Sequence, residues 1–209
     1  MARPAARTIA IFDLGGVLIE WNPRYLYRKL FRGDEAAMER FLETVCTPEW
    51  NERQDAGRTF ADATRALMPL HADQRDLIEA WSKRFDEMIP GDIDGTVEIL
   101  TTLRERGVPL YALSNWSAET FPPQLTRFPF LSWFTDIAVS GFEGVIKPDP
   151  RIFKILLERN AIAPETAVYI DDVVRNAAAA TSLGVHGIHF RSPDQLRVEL
   201  AAVGLLPGK

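Results

Sequence analysis

A single cysteine, Cys46, stands in 209 residues, so no intramolecular disulfide can form and the chain suits a reducing compartment. Lysine is scarce too: it supplies five of the 24 basic residues, against 29 acids, and the net charge is −5. That balance speaks against a binder of DNA or RNA, which needs a concentrated basic face. It also gives weight to any lysine in a suggestive place. No apolar run approaches the ~18 residues of a membrane helix. The N-terminal stretch starts basic, but Asp13 breaks its apolar run and no small-residue cleavage site follows. A cytosolic protein is therefore expected, without a secretory signal and without nucleic-acid or membrane partners. The three histidines, His71, His186 and His189, show no metal-ligand spacing and receive no role. Internal repeats and low-complexity tracts are absent.

What is present is enough for a substantial core: 46% apolar and 25% charged residues, in a length that suits one domain, or a core domain with a smaller insert. Short runs rich in Val, Ile and aromatics recur at 8–12, 108–113, 136–140, 167–170 and 185–190. Helical patterns lie between the later ones. Ile93, Val97, Leu100 and Leu103 share a face before Gly107. Asp149 caps and Pro150 opens a helix that stacks Ile152, Phe153, Leu156 and Leu157. A further helix ends at Gly184, and the last starts on Ser192–Pro193. Strands alternating with helices imply an α/β fold, a doubly wound parallel sheet covered on both faces. Residues 22–90 break that rhythm with helical stretches alone, and a four-helix module inserted into a core of 1–21 and 91–209 is expected.

The polar residues at strand ends are the informative ones. The first strand ends in Asp13, the second in Ser114–Asn115, the fourth in Asp171–Asp172, and Lys147 follows the third. Ligands of open α/β sheets bind beyond these carboxyl ends. Asp13 and Asp172 with a backbone carbonyl offer hard oxygen ligands for Mg²⁺. Ser114 and neighbouring amides offer hydrogen bonds to phosphate, and Lys147 a positive charge. An aspartate can attack phosphorus once that charge is neutralised, splitting one displacement into two.

"FDLGGVL", "LSN", "KPDP" and "YIDDVVRN", in this order, resemble the four motifs of the haloacid dehalogenase superfamily, with the helical stretch where that superfamily carries its cap. The resemblance implies a Rossmann-like core. It implies Asp13 as nucleophile, Ser114 and Asn115 as the phosphate-binding motif, and Lys147 as the charge-stabilising lysine. Asp172 would be the acidic metal ligand, Gly15 a carbonyl ligand, and Asp171 and Asn176 their supports. One departure stands out. Many phosphatases of the superfamily carry an acid/base aspartate where this chain has Gly15. Glycine variants of this motif occur in a branch that includes sugar-phosphate phosphatases.

The expected activity is Mg²⁺-dependent hydrolysis of small phosphorylated metabolites, sugar phosphates among them, through a phosphoaspartyl intermediate. Two alternatives stand beside it. A 2-haloacid dehalogenase would need no metal, and the Asp171–Asp172 pair is out of place in one. A degenerate phosphate-binding protein would have lost turnover with the acid at position 15. Trp21 and Asn22 are candidates for the hinge to the helices, and Trp21 and Trp116 for contact with substrate at the pocket wall. The stretch "PEWNERQDAG", 48–57, reads as a loop whose Trp50, Arg53 and Gln54 would touch substrate, with Glu52 or Asp55 as proton donors.

Overall fold

The computed structural model of the chain describes residues 6–208, with a five-stranded parallel sheet at its centre. The strands are β1 (Ile9–Phe12), β2 (Leu110–Ser114), β3 (Asp136–Val139), β4 (Ala167–Asp171) and β5 (His186–His189). Their order is β3-β2-β1-β4-β5. From β1 the chain winds outward through β2 and β3, then returns to place β4 on the other side of β1. The winding therefore reverses between β1 and β4, and the crevice beyond their carboxyl ends is where such sheets hold ligands.

All five residues of β2 and of β4 are buried, as parallel strands covered on both faces must be. Alternation along β1 divides its side chains between two cores: Ile11 joins Tyr111, Leu113, Phe153 and Tyr169 on one face, and Ala10 and Phe12 point to the other. The second cluster does not stop at the sheet. It continues into the helices that follow β1, through Tyr27, Phe41, Trp50 and Trp81.

Those helices are α1 (Arg24–Leu30), α2 (Glu35–Thr44), α3 (Pro48–Asp55), α4 (Phe60–His71) and α5 (Arg75–Lys83). Six more follow: α6 (Asp94–Glu105), α7 (Gln124–Arg127), α8 (Ser140–Glu143), α9 (Pro150–Arg159), α10 (Val174–Ser182) and α11 (Pro193–Ala202). The expected caps form: Asp149 accepts from the Arg151 amide and Ser192 from the Gln195 amide, each before a proline at the first turn. In α6 the buried side chains are Thr96, Ile99, Leu100 and Leu103, so the face lies slightly round from the one expected, and Ile93 stands before the helix.

Four helices are expected between β1 and β2 before α6, and five are found. The additional one is α3, in the stretch that reads as a loop. Its residues are almost all polar, so no apolar stripe betrays it. The local chemistry nevertheless starts a helix: Thr47 accepts from the Trp50 amide at 3.1 Å, and Pro48 occupies the first turn. The chain enters and leaves this helical segment side by side. The Glu20 amide donates to the Gly91 carbonyl at 3.0 Å, and the Asn22 amide to Met88 at 2.9 Å.

Candidate active site

Asp13, Ser114 and Asp172 lie at or just past the ends of β1, β2 and β4, as the sequence predicts, and all three border one cavity of about 520 Å³. Lys147, in the turn that leads into α9, reaches the same place. Its ammonium stands 2.8 Å from Asp13 Oδ2 and 2.8 Å from Asp171 Oδ2, buried with both. Asn115 fixes the backbone of that lysine: its Oδ1 accepts from the Lys147 amide at 2.8 Å and its Nδ2 donates to the Lys147 carbonyl at 3.1 Å. The Asn115 side chain therefore clamps the turn, and what it leaves for a ligand is its place on the cavity wall.

Asp171 is a hub. Besides Lys147 it accepts from the Tyr169 hydroxyl, from the Val173 amide at 2.8 Å and from Asn176 Nδ2 at 3.1 Å. Burial favours its neutral form, but the Lys147 charge and these donors outweigh burial and hold the carboxyl below its usual range. Lys147 gains in return: its burial is overcome by Asp13 and Asp171, and its pKa rises. For Asp13 the balance runs the other way. Burial is the largest influence, the Asp171 and Asp172 charges add to it, and Lys147 only partly offsets them, so the pKa is raised. Desolvation against the cavity wall, then the Asp171 charge, also push Asp172 up. One ammonium shared among three carboxylates leaves an excess of negative charge.

That excess matches a cation site. Asp13, Asp171 and Asp172 each present an oxygen within 4.8 Å of the others. Asp171 spends its oxygens on Lys147, Tyr169, Val173 and Asn176 and lies off the cavity wall, so Asp13 and Asp172, which border the cavity, are the pair left for an ion. An all-oxygen donor set suits a hard divalent cation such as Mg²⁺. The adjacent glycine pair has divided duties. Gly16 holds φ at +75°, and a Cβ there would fall 2.3 Å from Asp172 Oδ2, so only glycine lets that carboxylate approach. Gly15 has no such constraint, with nothing within 4 Å of an added Cβ.

The remaining cavity wall is largely apolar. Trp21 and Trp116 contribute to it as expected, together with Leu42, Trp81 and Phe85. Trp50, Arg53 and Gln54 do not, and this corrects the loop reading. Because the stretch is helical, its sides alternate with a period of 3.6, so Pro48, Asn51, Glu52 and Asp55 turn to the cavity. Trp50 and Gln54 turn into the core, where Gln54 Nε2 donates to the Trp50 carbonyl and Oε1 accepts from Arg58. Arg53 is exposed. Sequence reading also passes over Tyr169 and Arg175. A period-two count back from Asp171 along β4 would have found the tyrosine. Arg175 faces Glu52 across the cavity at 2.9 Å, a core-to-helix pairing that no local pattern announces.

The chain's residues 10–190 match the family model of haloacid dehalogenase-like hydrolases. It is 29% identical over 92% of its length to mouse acyl-CoA dehydrogenase family member 10, but spans only 19% of that protein. A sesquiterpene phosphatase of Aspergillus oryzae is 28% identical, over 87% of this chain and 88% of its own. Among solved structures, a haloacid dehalogenase family enzyme of Bacteroides thetaiotaomicron, in complex with magnesium and inorganic phosphate, superposes with a TM-score of 0.64. The two are 22% identical, over 89% of this chain and 95% of that one, and share the fold. With a match that runs from the first strand to the end of the last, the chain belongs to the haloacid dehalogenase-like hydrolases.

Proposed function

We propose that the chain is a Mg²⁺-dependent phosphatase that hydrolyses small phosphate monoesters through a phosphoryl group carried on Asp13. The observation that carries this reading is the Lys147 ammonium held 2.8 Å from Asp13 at the polar end of a closed-in cavity, with Asp172 alongside. An anionic carboxylate meets an anionic phosphate only where positive charge is already in place. Lys147 supplies one such charge, and Asp171 with Asn115 keeps it aimed. Ser114, on the cavity wall beside Lys147, would donate to a phosphate oxygen. Mg²⁺, bound by Asp13, Asp172 and the Gly15 carbonyl, would neutralise the remaining repulsion. Residues 22–90 act as the cap that walls the cavity from water.

The tryptophan-lined walls favour esters whose alcohol part is apolar over bare sugar phosphates. Phosphatases acting on a sesquiterpene and on phosphorylated carbohydrates are both among the chain's relatives. A panel of phosphorylated metabolites, with one short haloacid, tests the reading directly, with Mg²⁺ and after chelation. Release of phosphate that stops on chelation supports it, with lower KM for the apolar esters. Metal-independent release of halide establishes the dehalogenase instead. Binding of phosphate without turnover of any ester identifies a degenerate binder.

A further inference from the structure

Gly15 leaves the floor of the cavity without an acid beside Asp13, yet the leaving alcohol needs a proton. Among the described residues, five carboxylates line the cavity: Asp13, Glu43, Glu52, Asp55 and Asp172. Asp13 and Asp172 are already engaged. Glu52 is paired with Arg175 at 2.9 Å. Glu43 lies exposed on α2. Asp55 is different. It sits half-buried at the last turn of α3, and its Oδ2 accepts from Asn51 Nδ2 at 2.9 Å. The end of α3 is seated firmly on the core, because a Cβ on Gly57 would come within 3.3 Å of the Gly141 carbonyl in α8. This docking sets Asp55 on the wall of the cavity that Ser114 and Lys147 also border.

We propose that Asp55 is the general acid and base of the reaction, delivered by α3 in place of a carboxylate at position 15. The assignment rests on the phosphatase reading above. In the first step an Asp13 oxygen attacks phosphorus, the bond from phosphorus to the alcohol oxygen breaks, and that oxygen takes the Asp55 proton and leaves as the free alcohol. In the second, water attacks the phosphoryl group and gives a proton to the Asp55 carboxylate. The bond from phosphorus to Asp13 breaks, inorganic phosphate departs, and both aspartates are restored. The net change is ester plus water to alcohol plus phosphate. Burial, then the Glu52 charge on the same helix, raise the Asp55 pKa to about 7, with the Lys147 ammonium opposing. A group that must give and then take a proton works best near that value.

The test is a series of phenyl phosphates, from 4-nitrophenyl to 4-methoxyphenyl, assayed on the full chain with Mg²⁺. A working acid makes the natural protein nearly indifferent to leaving-group pKa. Asp55→Asn should slow the burst of phenol release from 4-methoxyphenyl phosphate ~10²-fold or more beyond its effect on 4-nitrophenyl phosphate, the lower end for a lost general acid. The later breakdown of the phosphoryl intermediate should slow alike for every ester in Asp55→Asn. It should also remove the decline in rate above about pH 7, where Asp55 loses its proton. Adding Gly15→Asp to Asp55→Asn should restore the shallow slope, since a Cβ added at position 15 meets nothing within 4 Å. A steep slope of burst phenol release in the natural protein overturns the assignment without any variant, as does an equal loss of that burst rate on every ester in Asp55→Asn. Failure of the natural protein to hydrolyse even the 4-nitrophenyl ester overturns the phosphatase reading, and this assignment with it.

Discussion

At the scale of single residues, the glycine pair after Asp13 makes the sharpest contrast. Gly16→Ala drives a methyl group into Asp172 and forces a left-handed backbone on a residue that resists it by about 1–2 kcal/mol. Its expected effect is at least a tenfold higher Mg²⁺ requirement, read from activity titrated with the ion. Gly15→Ala meets open space and should titrate like the natural protein. Asp172→Ala belongs to the same series. Its side chain is exposed beyond the end of β4, so removal leaves no cavity. The Mg²⁺ requirement should rise while the melting temperature moves by a few degrees at most, and a large fall in melting temperature with an unchanged Mg²⁺ requirement would show the acid to be structural. These positions were legible in the sequence because each motif is local: a strand, then an acid, a serine or a glycine within a few residues. The partnerships were not. Nothing near Asn115 announces that its side chain holds the Lys147 backbone 32 residues away.

Helices and strands show the same division at larger size. All five strands were legible, since runs of branched and aromatic residues between turns leave few alternatives. Helix α3 was not, because its stabilisation comes from a capping threonine, a first-turn proline and packing on one face, not from an apolar stripe. Missing it put Trp50, Arg53 and Gln54 on the cavity wall and passed over Asn51, while Glu52 and Asp55, expected as proton donors, do line the cavity. The helices between β1 and β2 are held by an aromatic cluster around Trp81, whose ring centroid lies 6.3 Å from Trp21, 5.9 Å from Tyr27 and 5.4 Å from Trp50. Trp81 is 2% exposed. Trp81→Ala should therefore cost about 3–5 kcal/mol of stability, the range for a large aromatic removed from a core, measured by denaturant unfolding. A loss below about 1 kcal/mol would mean that the helices do not lean on this ring.

For the molecule as a whole, one cluster of apolar residues runs from the sheet into these helices, and the cavity lies where the two meet. The sheet end supplies charge and the helices supply apolar walls and Asp55, so neither part makes the site alone. No described helix is long and apolar enough to cross a membrane. In the proposed reaction Asp13 carries the phosphoryl group with Mg²⁺ beside it. The most direct measurement is the rate of phosphate release from 4-nitrophenyl phosphate by the natural chain with Mg²⁺, by the same chain after chelation, and by Asp13→Asn. Turnover is expected only in the first, with a loss of several orders of magnitude in Asp13→Asn, the scale of a removed nucleophile. Undiminished release after chelation, or by Asp13→Asn, would contradict it.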